Sequence, residues 1–112
     1  VFYFTLGNCD LCIDAQISNI LALSKKIGNE NILIIVNGAS IRDVVVFKNK
    51  YNIKFTIAVS NDHIGLPIEN ENVPFCLIID KSFLAKDIFV PIKEFQEYNE
   101  RYYKIIYKKY WN

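Results

Sequence analysis

Val1-Phe2-Tyr3-Phe4-Thr5 is a run of β-branched and aromatic residues with no alternation to polar. A strand with one wet face alternates, so an unbroken run suits a central strand covered on both faces. The pattern then changes abruptly. Leu6-Gly7-Asn8 has turn composition, and Asn8 suits a helix N-cap. Ile13, Ile17, Ile20, Leu21 and Ile27 recur at helical spacing, with Asp14 early, Lys25 and Lys26 late and Gly28 as terminator. This predicts a helix from about 9 to 27.

At that strand-to-helix junction sits Cys9-Asp10-Leu11-Cys12. Two residues between the sulfurs allow a small disulfide ring within one helical turn. The unpaired N–H groups of a helix start also favour a thiolate. Zinc knuckles share this spacing, but a zinc site needs two further ligands. Only Cys76 and His63 remain, and they are not at paired ligand spacing. The residues therefore favour redox chemistry with no metal and no organic cofactor.

The rest of the chain alternates strands and helices. Residues 32–36 read as a second buried strand. Ser40 and Asp43 resemble a capping box before a helix from about 41 to 51, although Val44-Val45-Val46-Phe47 has strand propensity. Residues 55–59 read as a third strand and 63–72 as loop. Val73-Pro74 leads into a fourth strand at 75–79, and 83–90 into its hairpin partner at the sheet edge. After Pro91 a last helix carries an apolar stripe of Phe95, Tyr98, Tyr102, Ile105 and Ile106. Its basic C-terminal half reads as a solvated face that complements the helix dipole, not as a lipid anchor. The tyrosine-rich tail, Tyr102, Tyr103, Tyr107, Tyr110 and Trp111, is too aromatic for a single buried stripe and reads as a docking helix with an apolar overhang at its end, with a partner surface as the alternative.

At 112 residues the chain reads as a single domain, 1–112. Thirteen basic against 12 acidic residues give no support for nucleic acid as a partner. There is no methionine, so the sequence is expected to be N-terminally trimmed, with any targeting segment or membrane tether upstream. Three cysteines are too few for a disulfide scaffold. Cys76 lies in the apolar run Phe75-Cys76-Leu77-Ile78-Ile79 and reads as an inert core thiol with a raised pKa. The lone His63, beside Asp62, reads as a surface residue.

The order β-α-β-α-β-β-β-α, the Cys-x-x-Cys after the first strand and Val73-Pro74 before the fourth together resemble the thioredoxin-like fold. Within it the chain is similar to the TlpA-like thiol-disulfide oxidoreductases. The resemblance implies an α/β three-layer sandwich, a mixed five-stranded sheet flanked by about three helices. Its strand order would be 55–59, 32–36, 1–5, 75–79, 83–90, with 75–79 antiparallel to the first three. It also implies a cis Val73–Pro74 bond lining the sulfurs, with substrate backbone lying along Val73 and Pro74. Cys9 would attack and Cys12 would resolve, with Asp10 tuning the pair. Protein thiol or disulfide substrates, a redox partner protein and a periplasmic or membrane-anchored bacterial location follow from the same resemblance. Three positions depart from the family: Asn8 stands where thioredoxins carry Trp, Tyr3 where many members carry a buried acid, and Asp10 within the motif. A binding module that keeps the fold without the chemistry is the rival expectation. A peroxidase of the peroxiredoxin kind is disfavoured, because Val1 and Phe2 stand where its motif needs proline.

Overall fold

The computed structural model describes residues 1–5, 10–61, 65–71, 73–92 and 94–111, with the side chains of 10–12, 70 and 71 outside that description. The elements are β1 (Phe2–Thr5), α1 (Asp10–Ile27), β2 (Leu33–Asn37), α2 (Ile41–Tyr51), β3 (Thr56–Ser60), β4 (Phe75–Ile79), β5 (Ala85–Phe89) and α3 (Gln96–Tyr110). Two short 3-10 turns, Asn29–Asn31 and Pro67–Glu71, join them. The strands form one five-stranded sheet in the order β3-β2-β1-β4-β5. The first three run parallel, β4 is antiparallel to β1, and β5 is antiparallel to β4. Strand order and the reversal at β4 agree with expectation.

β1 is the centre. Phe2 and Phe4 bury on one face beside Ile34, Val36 and Cys76, while Tyr3 buries on the other with Phe75 and Leu77. The sheet grows outward from β1 by two parallel crossovers in the same direction. Crossovers of one hand then lay both helices on one face. Side chains of α1, α2 and α3 accordingly all pack on the Phe2–Phe4 cluster. The Tyr3 cluster is covered instead by Leu66, Ile68 and Val90. A second helical layer, which a three-layer sandwich requires, is not found among the described residues; the cover on that face is the stretch around the 3-10 turn.

α1 buries Ile13, Ile17, Ile20 and Ile27 as its spacing predicts. α2 starts with the expected capping box: the Asp43 N–H donates to Ser40 Oγ at 3.1 Å, and the Ser40 N–H donates to Asp43 Oδ2 at 2.9 Å. Asn52 closes that helix in the left-handed region, φ 54°. The stripe expected on α3 needs correction. Its buried residues are Asn99, Tyr103 and Ile106, while Phe95, Tyr98 and Ile105 are exposed. The period is right but the face is rotated by polar partners that apolar counting ignores. The Asn99 amide donates to the Ile92 carbonyl and accepts from the Ile92 N–H, both at 2.8 Å. No helix among the described residues is long and apolar enough to cross a membrane.

Asn99 thus ties the start of α3 to the segment that delivers it. Asn99→Ala removes both bonds and leaves the part-buried polar groups of Ile92 short of partners, a loss of about 1–3 kcal/mol. Urea unfolding should show the midpoint falling with the slope unchanged.

Candidate active site

The carboxyl ends of β1, β2 and β3 lie at one end of the sheet, and β4 begins at that end because it runs the other way. α1 opens there at Asp10, five residues after Thr5 ends β1. In parallel sheets this end is where ligands collect, since the loops leave the strands there. Cys9 lies outside the described residues, as does His63. Asp10 and Cys12 stand at the first and third positions of α1, with their side chains outside the description.

Val73 and Pro74, both half-buried, come immediately before Phe75. Phe75 pairs with Tyr3 and Cys76 with Phe2, so the same register one step further sets Pro74 opposite Phe4. The first turn of α1, residues 10–12, and residues 73–74 therefore lie at the same end of β1. The bond between Val73 and Pro74 is trans, since no cis peptide occurs among the described residues. This corrects the cis expectation. Trans is favoured by about 0.5–1 kcal/mol before proline, and extended backbone running into β4 accommodates it.

Tyr3, at the position where the resemblance implies a buried acid, is buried and stacked on Phe75 with ring centroids 4.8 Å apart. Its hydroxyl accepts a hydrogen bond from the Asn37 amide at 2.7 Å. That neutral pair fixes Tyr3 without supplying a proton acceptor. Beside this end lies a cleft between the sheet and α2, floored by Phe4, Val36, Ala39 and Phe47 and rimmed by Arg42 and Lys50. Among the described residues no group of three or more His, Cys, Asp or Glu side chains could hold a metal ion.

Reading the sequence missed one polar cluster. The Tyr103 hydroxyl donates to Gln16 Oε1 at 2.6 Å, and Cys76 Sγ lies 3.4 Å from the same hydroxyl. With its proton committed to Gln16, the tyrosine oxygen accepts from the Cys76 thiol. All three side chains are buried. By polarity Gln16 reads as lying off the apolar stripe of α1, and the structure corrects this: one turn from Ile13 and Ile20, it is buried because Tyr103 satisfies its amide oxygen. Burial pushes the Cys76 thiol up to about 11. Desolvation also raises Tyr103 well above the usual tyrosine range.

No family model, curated protein or solved structure matches the chain.

Two outcomes follow for Cys76. Iodoacetamide at mildly alkaline pH should modify it only after denaturant is added. Its folded pKa lies above the ordinary thiol value of ~8.5, so the folded chain holds a proton that the unfolded chain releases. The stability this contributes is complete below pH ~8.5 and is lost as pH rises to about 11. Cys76→Ala should flatten the alkaline fall in stability by about one proton's worth of slope, measured by unfolding at stepped pH.

Proposed function

We propose that the chain is a thiol-disulfide oxidoreductase of thioredoxin-like fold, acting through Cys9 and Cys12 on protein substrates. The observation that carries this reading is the sheet order β3-β2-β1-β4-β5 with its reversal at β4, combined with a Cys-x-x-Cys at the β1–α1 junction. The order brings residues 73–74 to the end of β1 from which the motif departs. The cleft floored by Phe4, Val36 and Phe47 suits an apolar side chain flanking a substrate cysteine.

In the reducing direction the Cys9 thiolate attacks one sulfur of a substrate disulfide and displaces the other as thiolate. Cys12 then attacks Cys9, breaking the mixed disulfide and releasing the second substrate thiol. Two electrons and two protons pass to the substrate, the Cys9–Cys12 disulfide remains, and a redox partner protein re-reduces it. No organic cofactor enters, because the electrons reside on sulfur. The helix start stabilises the thiolate by ~0.3–1 kcal/mol when exposed and up to ~2 when partly buried. Asp10 opposes it by under roughly 1 kcal/mol after screening. The couple is therefore a reducing one, and the family resemblance extends it to a location outside the cytoplasm.

The trans Val73–Pro74 bond favours a second reading, a binding module of the same fold without turnover. Insulin reduction with dithiothreitol separates the two. The wild-type chain should precipitate insulin B chain well above the reductant-only rate, and Cys9→Ser should not. Cys12→Ser should accumulate mixed disulfides on Cys9, read by mass spectrometry. Asp10→Asn should lower the Cys9 pKa and shift the glutathione equilibrium toward the dithiol. A wild-type rate equal to reductant alone would leave the binding module as the better reading.

A further inference from the structure

α1 and α3 share one direction. α1 and α2 leave the carboxyl ends of β1 and β2. α3 runs parallel to α1, since Tyr103 meets Gln16 while Tyr107 lies under Lys26, 5.1 Å from ring centroid to Nζ. The C-termini of α1 and α3 thus gather at the amino end of the parallel strands, opposite the start of α1. β4 ends there too, and Ile78, Ile79 and Trp111 line one cleft with Leu33 and Thr56. The β4–β5 hairpin turns at that same end.

Charge at this end is one-sided. Lys25, Lys26, Lys54, Lys81 and Lys108 are exposed and carry no ion pair among the described residues. The neighbouring acids are engaged: Asp80 holds Lys86 at 2.9 Å, and Asp87 holds Lys109 at 3.1 Å and accepts from the Tyr110 hydroxyl. Glu30 is the acid left over.

From within this basic end an apolar tip projects. Asp80 braces the hairpin turn, its carboxylate accepting from the N–H groups of Ser82 at 2.8 Å and Leu84 at 3.0 Å. Phe83 sits on that turn in the left-handed region, φ 62°, and is 87% exposed; Leu84 is 59% exposed. A bulky residue at positive φ is a conformational outlier. The fold gains no burial from the ring it holds there.

We propose that this end docks on a bilayer carrying anionic lipid, with Phe83 and Leu84 entering the headgroup boundary and the lysines meeting the lipid phosphates. A narrow convex tip inside a broad scatter of lysines matches a planar, diffuse anionic surface. A protein partner would need roughly 800 Å² of complementary face, whereas a bilayer needs only the depth of two side chains. The proposal goes beyond the thiol chemistry and stands apart from it.

The test is sedimentation of the full chain with vesicles of phosphatidylcholine alone or with about one quarter phosphatidylglycerol, at stepped salt. Binding should be at least about tenfold stronger to the anionic vesicles, and should fall with salt. Each of Lys25→Gln, Lys26→Gln and Lys108→Gln should weaken it about fivefold. Phe83→Gly relieves the positive φ, so its thermal midpoint should hold or rise while vesicle binding falls about tenfold. Leu84→Ser, at an exposed position, provides a second variant with the same expected direction. Equal binding to both vesicle types, or none, would overturn the proposal. So would wild-type binding by Phe83→Gly, or displacement from vesicles by poly-glutamate at stoichiometric amounts, which would point to an acidic protein instead.

Discussion

β1 is hydrogen-bonded along both edges and buried on both faces, and the placement of every other element answers to that. Its backbone pairs with β2 in parallel and with β4 in antiparallel, and Val1 extends the second ladder by exchanging bonds with Leu77 at 2.8 and 2.9 Å. No residue of such a strand has a wet side to be polar on, which is why Phe2, Tyr3 and Phe4 follow one another. Full burial of side chains this size is worth about 1.5–3 kcal/mol each. The mixed pairing has a spatial consequence. A parallel neighbour forces a crossover helix, so α1 must begin where β1 ends. An antiparallel neighbour begins where β1 ends as well. The residues after β1 and the residues before β4 are brought together by strand direction alone.

On the helical face, rotation is set by polar groups rather than by apolar count. α3 could have turned Tyr98, Tyr102 and Ile105 inward, which would bury more hydrocarbon. It turns Asn99 and Tyr103 inward instead. Asn99 finds both polar groups of Ile92, and Tyr103 bridges Gln16 of α1 to Cys76 of β4. A buried amide or hydroxyl without partners costs more than a methylene gains, so the rotation that satisfies them all wins. Tyr102, one residue off, then stacks on Phe89 with centroids 4.4 Å apart and donates to the Asp87 carbonyl, securing β5 to the helix.

This contrast explains what could be read in the sequence. β1, β2 and β4 announced themselves because doubly buried strands lack alternation, and α2 because Ser40 and Asp43 sit at capping distance. Strand order came from resemblance and agrees with the pairing. The face of α3 was not legible, because Gln16 and Tyr103 acquire meaning only when brought together across 87 residues of chain, and Asn99 only when the backbone of Ile92 is turned toward it. Nor was the single-sided helix layer, which follows from two successive crossovers stepping the same way. β5 is shorter than expected, Ala85–Phe89, because Phe83 and Asp87 take positive φ and bend the edge. At the candidate site, the pairing of β4 with β1 sets Val73 and Pro74 at the end of β1, but the isomer of their bond is a local balance of under about 1 kcal/mol that sequence does not display.

That balance also limits what the proline can mean for chemistry. Under the proposed chemistry, exchange at Cys9 and Cys12 would need a thiolate, a resolving thiol and access, and the motif and the helix start would supply the first two. Residues 73–74 would shape how a substrate backbone lies against the sulfurs, so the isomer bears on which substrates bind before it bears on whether sulfur reacts. The opposite end of the molecule is independent of both. α1 has 18 residues, so at 1.5 Å per residue its two ends are about 27 Å apart. A surface engaged by Phe83 and the lysines at the C-terminal ends of α1 and α3 would leave the start of α1 clear of it and facing away. One helix direction, shared by α1 and α3, therefore separates a charge-bearing end from the end at which α1 begins, and engagement of one would not obstruct the other.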